Sequence, residues 1–392
     1  MITALAVENY RSLRNLCIPV TQLNVVTGAN GSGKSSLYRA IRLLADVSRN
    51  GAVAALAREG GLPSTLWAGP EKGTRPGRIA QGTVRTEAMH LRLGFSGTEF
   101  GYAVDLGLPP PSVQGTMFGL DPSIKRETIW SGPVLRPASA LIERHNMVVT
   151  VRERGGKWSA KPYPIQPFDS MLSEFSDPEA APEVFRVRDR IRSWRFYDHF
   201  RTDADAPARG THIGTRTPVL SHDGADLAAA LRTIIEVGVD GELGAAIDDA
   251  FPGSRLGIED VAGDGRFTIK LAQPGLLRPL GAAELSDGTL RYLLLVAALL
   301  TPRPPELLVL NEPETSLHPD LLAPLGSLIA TAAQKSQVIV VSHSQELITA
   351  LGRAAAADHT DVSTVELAKS EGATVVQGQG LLDSPLWHWP KR

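Results

Sequence analysis

Leu23-Asn24-Val25-Val26-Thr27, followed directly by Gly28-Ala29-Asn30-Gly31-Ser32-Gly33-Lys34-Ser35-Ser36, is the stretch that decides the fold. The first five residues make a short apolar run of strand type, and Leu37, Ala40, Ile41 and Leu44 then recur at helical spacing. Between them, residues 28–35 fit the pattern G-x-x-x-x-G-K-[ST] without a mismatch. Strand, glycine loop and helix stand in the order that a nucleoside triphosphate site requires.

The residue types follow from the chemistry. Glycines at 28, 31 and 33 let the backbone curl so that successive N–H groups face phosphate oxygens, and the positive end of the next helix adds to the attraction. Lys34 is expected on the β- and γ-phosphates. Ser35 offers a hydroxyl to Mg²⁺. ATP and Mg²⁺ are therefore the expected ligand and metal, with residues 28–36 as the binding loop.

A second constellation lies downstream. Glu306-Leu307-Leu308-Val309-Leu310 follows the breaker-rich Pro302-Arg303-Pro304-Pro305 and reads as a parallel strand buried on both faces. It ends in Asn311-Glu312, where a carboxylate could polarise an attacking water. Leu285-Ser286-Asp287-Gly288-Thr289 precedes an apolar helix over 290–300, and a serine with a glycine at a helix start is a second anion site. Gln337 to Ser342 is another buried strand, with His343 at the carboxyl end where open α/β sheets gather ligand groups. A lone histidine there is compatible with a structural role as well.

The order of these pieces resembles the ABC class of ATPases: Walker A, then an LSDGT signature, then Walker B and D-loop in NEPETSLHP, then a switch histidine. The wording is similar to the SMC/RecF/OLD-like branch, and to bacterial ATPases of AAA type that share E-P-E-T-S-L-H-P. Asn9-Tyr10-Arg11-Ser12 is similar to the N-F-[KR]-S opening of that branch. The resemblance covers the first 50 and roughly the last 120 residues, and the middle poorly. It implies an α/β phosphate-loop NTPase with an ABC-type head: a mixed sheet, an annexed antiparallel sheet and a helical lobe. It implies Lys34 and Glu312 as catalytic residues with His343 as switch, Ser286 and Gly288 on the γ-phosphate, and Ser35 with Asn311 on Mg²⁺. Ser316, Leu317 and His318 fall on the D-loop. Asn311 stands where most relatives carry aspartate, so the metal loses one negative charge.

The same resemblance implies an ATP-dependent homodimer acting in DNA maintenance or phage defence. OLD-like proteins append a nuclease after the switch histidine. About fifty residues follow His343 here, so cutting would fall to a separate effector chain. Alternatives are a nucleotide-gated binding module with little hydrolysis, a transporter ATPase, or a small-molecule kinase. The kinase would leave LSDGT and His343 unexplained.

Composition sets limits. The 392 residues suffice for two or three lobes, and 43% hydrophobic content suits a soluble globule. The longest apolar stretch, residues 292–300, is far short of the roughly 20 residues of a membrane span. The polar start at Glu8 and Asn9 does not read as a secretory signal. A single cysteine, Cys17, excludes an internal disulfide and fits the cytoplasm. A net charge of −2 supplies no global field for nucleic acid.

The expected organisation is an ATPase lobe over 1–165, a helical insertion over 166–255 and a second ATPase lobe over 256–392. Residues 51–82 read as loops around short helices, and 90–161 as an antiparallel sheet with a hairpin across Gly155-Gly156. Segments 168–176, 183–200 and 224–250 read as helical, and 364–377 as a hairpin. On 183–200, Val184, Val187, Ile191 and Trp194 form an apolar stripe beside Arg188, Arg192 and Arg195. Those arginines suit nucleic-acid phosphates, or else form an ordinary solvated face.

Overall fold

The structure, a computed structural model, describes residues 1–70, 88, 90–110, 116–162, 164–239, 241–380 and 383–391. Part of the expected 51–82 loop region, from residue 71 onward, lies outside them. The chain forms two compact units, one of residues 1–21, 26–194 and 364–392, the other of residues 22–25 and 195–363. This grouping differs from three consecutive lobes with boundaries at 165 and 255.

The first unit is built on an eight-stranded antiparallel sheet. Its order is Leu13–Pro19, Ile2–Tyr10, His90–Gly97, Phe100–Gly107, Ser123–Ser131, Ala140–His145, Val148–Arg152 and Trp158–Ala160. The expected sheet is present, and the first two strands of the chain extend it through pairs such as Val7 with Leu93. Every residue of Phe100–Gly107 is buried, so this strand has both faces covered. Helix Lys34–Asn50 packs on the strands Ile2–Tyr10 and His90–Gly97, burying Leu37, Ala40, Ile41 and Leu44 as the spacing predicts. The hairpin of Val362–Ser370 and Ala373–Val376 turns at Glu371 and Gly372, both at positive φ (49° and 80°), as a tight two-residue turn requires.

One helix is shorter than its sequence pattern. Residues 183–200 are not a single helix: Pro182–Ser193 is helical, Trp194 turns extended at ψ 139°, and Arg195–Tyr197 is a strand. The stripe Val184, Val187, Ile191 and Trp194 is fully buried, so the periodicity was real while the end was overrun. Pairing of Phe196 with Val309 overrides the helical continuation. Likewise 168–176 reduces to Met171–Glu174, and 224–250 divides into Leu227–Val237 and Glu242–Ala250.

The second unit carries the parallel strands Arg195–Tyr197, Leu307–Asn311 and Gln337–Val341, with residues 23–25 beside the last of them. Buried Asn24 donates its side-chain N–H to the Val338 carbonyl at 3.1 Å. Helix Asp287–Leu299 is the centre of the core: Leu290 and Tyr292 to Leu299 are buried and pack with Leu308, Leu310, Val338 and Val340. A small antiparallel sheet, Arg255–Val261 with Arg266–Ala272, His212–Ile213 and Leu280–Gly281, is an element the sequence pattern did not predict. Among the described residues, no helix is long and apolar enough to cross a membrane.

Candidate nucleotide site

In the first unit, the strand ending at Gly28 opens into a loop whose glycines take φ 141° (Gly28), 77° (Gly31) and 112° (Gly33). These are left-handed values that a side chain resists. Helix Lys34–Asn50 starts at once, with no acidic residue in its first turn, so no carboxylate of that turn competes for its N-terminal N–H groups and dipole. Ala29, Asn30, Gly31 and Ser35 are exposed and Ser36 is half-buried. Lys34 is only 6% exposed, and its Nζ donates to the carbonyls of Gly28 at 2.6 Å and Ala29 at 3.1 Å. The ammonium thus lies folded over the loop. Ser32 is buried and its Oγ has no hydrogen-bond partner, a polar atom in need of one. Loop, lysine and helix end fit a polyphosphate.

In the second unit, Asn311 ends its strand and Glu312 follows at φ 48°, with its N–H donating to the Val341 carbonyl at 2.7 Å. The turn brings three side chains together. His343 Nδ1 lies 3.7 Å from Glu312 Oε1 and 3.5 Å from Glu314 Oε1. Asn311 Oδ1 is buried without a partner, which fits an oxygen ligand for a hard cation or its bound water. Arg291, 3% exposed, donates from Nη2 to the Glu312 carbonyl at 3.1 Å. Burial pulls its guanidinium below the ordinary value, while Glu314, Asp198 and Glu312 pull it back up.

The signature turn belongs to the same unit. Ser286 caps helix Asp287–Leu299, its Oγ accepting the Thr289 N–H at 3.2 Å, and it is exposed. A Cβ at Gly288 would lie 3.0 Å from the Ser316 carbonyl oxygen, so the signature and the D-loop touch. Arg209 braces this turn by donating to the carbonyls of Ala282 (3.1 Å) and Leu285 (2.8 Å) and to Asp287 at 2.7 Å. In the D-loop, Ser316 sits at φ 63° and the exposed His318 accepts the Asp320 N–H at 3.3 Å.

Three residues with roles here were not singled out for them in the sequence. Arg291 had a signal, the single charge in the apolar run 290–300. Glu314 had a weaker one, as the second carboxylate of NEPET. Arg209 had none. The arginine face is corrected: Arg195 lies on a strand outside the helix, and Arg188 is half-buried, donating to the Phe175 carbonyl at 2.9 Å with its guanidinium 4.2 Å from the Phe185 ring centre. Of the three, only Arg192 is an exposed helical side chain.

Residues 158–349 match the family described as "AAA domain, putative AbiEii toxin, Type IV TA system", and residues 1–62 match an AAA ATPase domain family. The fold is similar to the SMC head solved bound to the C-winged helix domain of ScpA, with TM-score 0.50 and 12% identity over 97% of this chain and 98% of that one. The SMC head domain from Thermotoga maritima aligns with TM-score 0.44 and 14% identity over 97% and 99%. No curated protein matches the chain by sequence. The glycine loop, the strand-end residues and these matches give the chain a phosphate-loop NTPase fold, similar over residues 1–62 and 158–349 to AAA-type ATPase domains.

Proposed function

We propose that this protein binds and hydrolyses ATP as a switch, closing into a homodimer on ATP and opening on ADP, in DNA maintenance or phage defence. The observation that carries the proposal is the left-handed glycine loop with Lys34 folded over it at a helix start free of acids. In this reading residues 28–36 hold the triphosphate, with Lys34 moving from the loop carbonyls to the β- and γ-phosphates. Ser35 and Asn311 would hold the metal. Mg²⁺ when bound neutralises charge between the β- and γ-phosphates. Glu312 accepts a proton from the water as its oxygen bonds to the γ-phosphorus; the bond to the bridging oxygen breaks, giving ADP and phosphate. His343, beside Glu312, orients that carboxylate and the water. A separate protein is the proposed effector, by likeness to an SMC head that binds ScpA.

A second reading is a nucleotide-gated binding module with little hydrolysis, which Asn311 favours because an amide brings no charge to the metal. Lys34→Ala tests the shared premise. ATP affinity is expected to fall by about tenfold or more with the fold retained, read by calorimetric titration and circular dichroism. A folded variant with native ATP affinity would remove the phosphate loop from both readings.

A further inference from the structure

The phosphate loop is held by the C-terminal hairpin of its own unit. Thr374, 2% exposed, donates from Oγ1 to the Ser32 carbonyl at 2.7 Å. Ser12 Oγ lies 2.9 Å from the same Thr374 oxygen, and the Thr374 N–H donates to the Ser12 carbonyl at 2.8 Å. A hydroxyl has one proton, and Thr374 gives its proton to Ser32; Ser12 must therefore be the donor to Thr374. The result is an ordered relay from Ser12 through Thr374 to the loop.

Steric contact follows the same path. A Cβ at Gly33 would lie 2.2 Å from Thr374 Oγ1, and a Cβ at Gly28 would lie 2.2 Å from the Leu367 carbonyl oxygen. The two strands of the hairpin thus press on the two ends of the loop. Gly28 and Gly33 are required for this close approach as well as for their backbone angles, whereas Gly31 faces open space. The Asn9-Tyr10-Arg11-Ser12 stretch also finds a purpose. Asn9 and Arg11 at positive φ (63° and 49°) form the turn between Ile2–Tyr10 and Leu13–Pro19 that delivers Ser12.

We propose that Thr374, relayed by Ser12, is a positioning residue that sets the curvature of the phosphate loop for nucleotide binding. The inference rests on the phosphate loop being the nucleotide site. Thr374 acts through the backbone: it fixes the Ser32 peptide by its carbonyl, within the loop proposed to hold the phosphates. A loop fixed in its binding form loses less freedom when the ligand arrives. By linkage the nucleotide must in turn stabilise the hairpin against local opening.

The test uses the full chain with ADP and Mg²⁺ in titration calorimetry. Thr374→Val keeps the branched shape and removes the donor, and it is expected to weaken ADP by about tenfold, the size of one buried hydrogen bond with its unsatisfied partner. Thr374→Ser is expected to restore affinity to within about threefold. Ser12→Ala with Thr374→Val should lose little more than Thr374→Val alone, since both cut one relay. If Thr374→Val binds ADP as the wild type does while Lys34→Ala does not, the positioning role is overturned and the phosphate loop stands. If Lys34→Ala also binds normally, the underlying site is wrong. Should Thr374→Val not fold, amide exchange on the wild type decides: ADP with Mg²⁺ must slow exchange across Ala373–Val376, and unchanged exchange refutes the coupling.

Discussion

Glu314 is tied to His343 twice: its Oε1 accepts the His343 backbone N–H at 3.2 Å and lies 3.5 Å from the ring Nδ1. The same oxygen accepts the Ser342 hydroxyl at 2.6 Å and the Ser344 N–H at 3.3 Å. The carboxylate is 9% exposed, and it gathers the turn between strand Gln337–Val341 and helix Gln345–Ala357 around one point. His343 is consequently held within 3.7 Å of Glu312 although its own side chain is half exposed. Position, not packing, is what Glu314 supplies.

If Glu312 and His343 act on the water as proposed, Glu314→Ala lowers kcat by about ten- to a hundredfold by releasing the histidine, because small misplacements of reacting groups are costly. Glu314→Gln keeps an acceptor oxygen and recovers most of that loss. KM for ATP stays within about twofold in both, since the proposed loss falls on the orientation of His343 and not on the residues 28–36 proposed to hold the triphosphate. Steady-state phosphate release separates the two constants. A full-speed Glu314→Ala protein reduces Glu314 to a turn stabiliser.

The unpartnered Asn311 Oδ1 leads to a second expectation. Asn311→Asp adds a charge where a metal is proposed, so half-maximal activity should need several-fold less Mg²⁺, on the order of a nearby-charge effect at partial burial. Glu312→Gln should nearly abolish hydrolysis and spare ATP binding. Magnesium titrations of ATPase rate and ATP binding read both. A Glu312→Gln enzyme of native rate assigns the base elsewhere.

The phosphate loop was legible because its chemistry constrains consecutive residues: left-handed backbone at Gly28, Gly31 and Gly33 leaves glycine as the favoured choice. The strands Leu307–Asn311 and Gln337–Val341 were legible because burial on both faces demands unbroken apolar runs. Arg195–Tyr197 was not, being three residues long and continuing a helical pattern until long-range pairing takes over. Thr374 was beyond reach, because its partner Ser32 is 342 residues away and nothing local to either residue announces the contact. Arg291 lies between these cases: its charge signals a buried partner, but the sequence does not say that the partner is the Glu312 carbonyl.

The first unit contains its own high-stakes polar cluster. Glu127 and Arg144, both fully buried, pair at 2.7 Å. Glu127 also accepts from Tyr102 (2.6 Å), Ser170 (2.5 Å) and the Met171 N–H (2.8 Å). Arg144 donates to the carbonyls of Asn146 (2.6 Å), Gln166 (2.7 Å) and Asp169. Arg144→Met leaves the carboxylate uncompensated and should cost about 3–5 kcal/mol, read as a lower urea midpoint. Adding Glu127→Gln should recover part of the loss, because the stranded charge is gone. An Arg144→Met protein of native midpoint would contradict the pairing.

The last prediction concerns the proposed dimer. Ser286 is exposed at the N-terminus of a thirteen-residue helix, and Arg209 holds the turn that presents it. The Asp287 carboxylate, which would repel an incoming phosphate, is paired with Arg209 at 2.7 Å. With Asp287 paired, the exposed helix end can receive an anion, and the γ-phosphate held by another protomer is the proposed occupant. With two-fold symmetry two such contacts form, so ATP should favour the dimer over ADP by its differential affinity for the associated state. Glu312→Gln is the background of choice because it keeps ATP intact. Its mass by light scattering should double with ATP and Mg²⁺ and remain monomeric with ADP. Adding Ser286→Arg, which fills the contact with a bulky side chain, should return the ATP-bound protein to the monomer. The same mass under all three conditions, whether of monomer or dimer, would exclude the ATP-gated dimer while leaving nucleotide binding by the loop untouched.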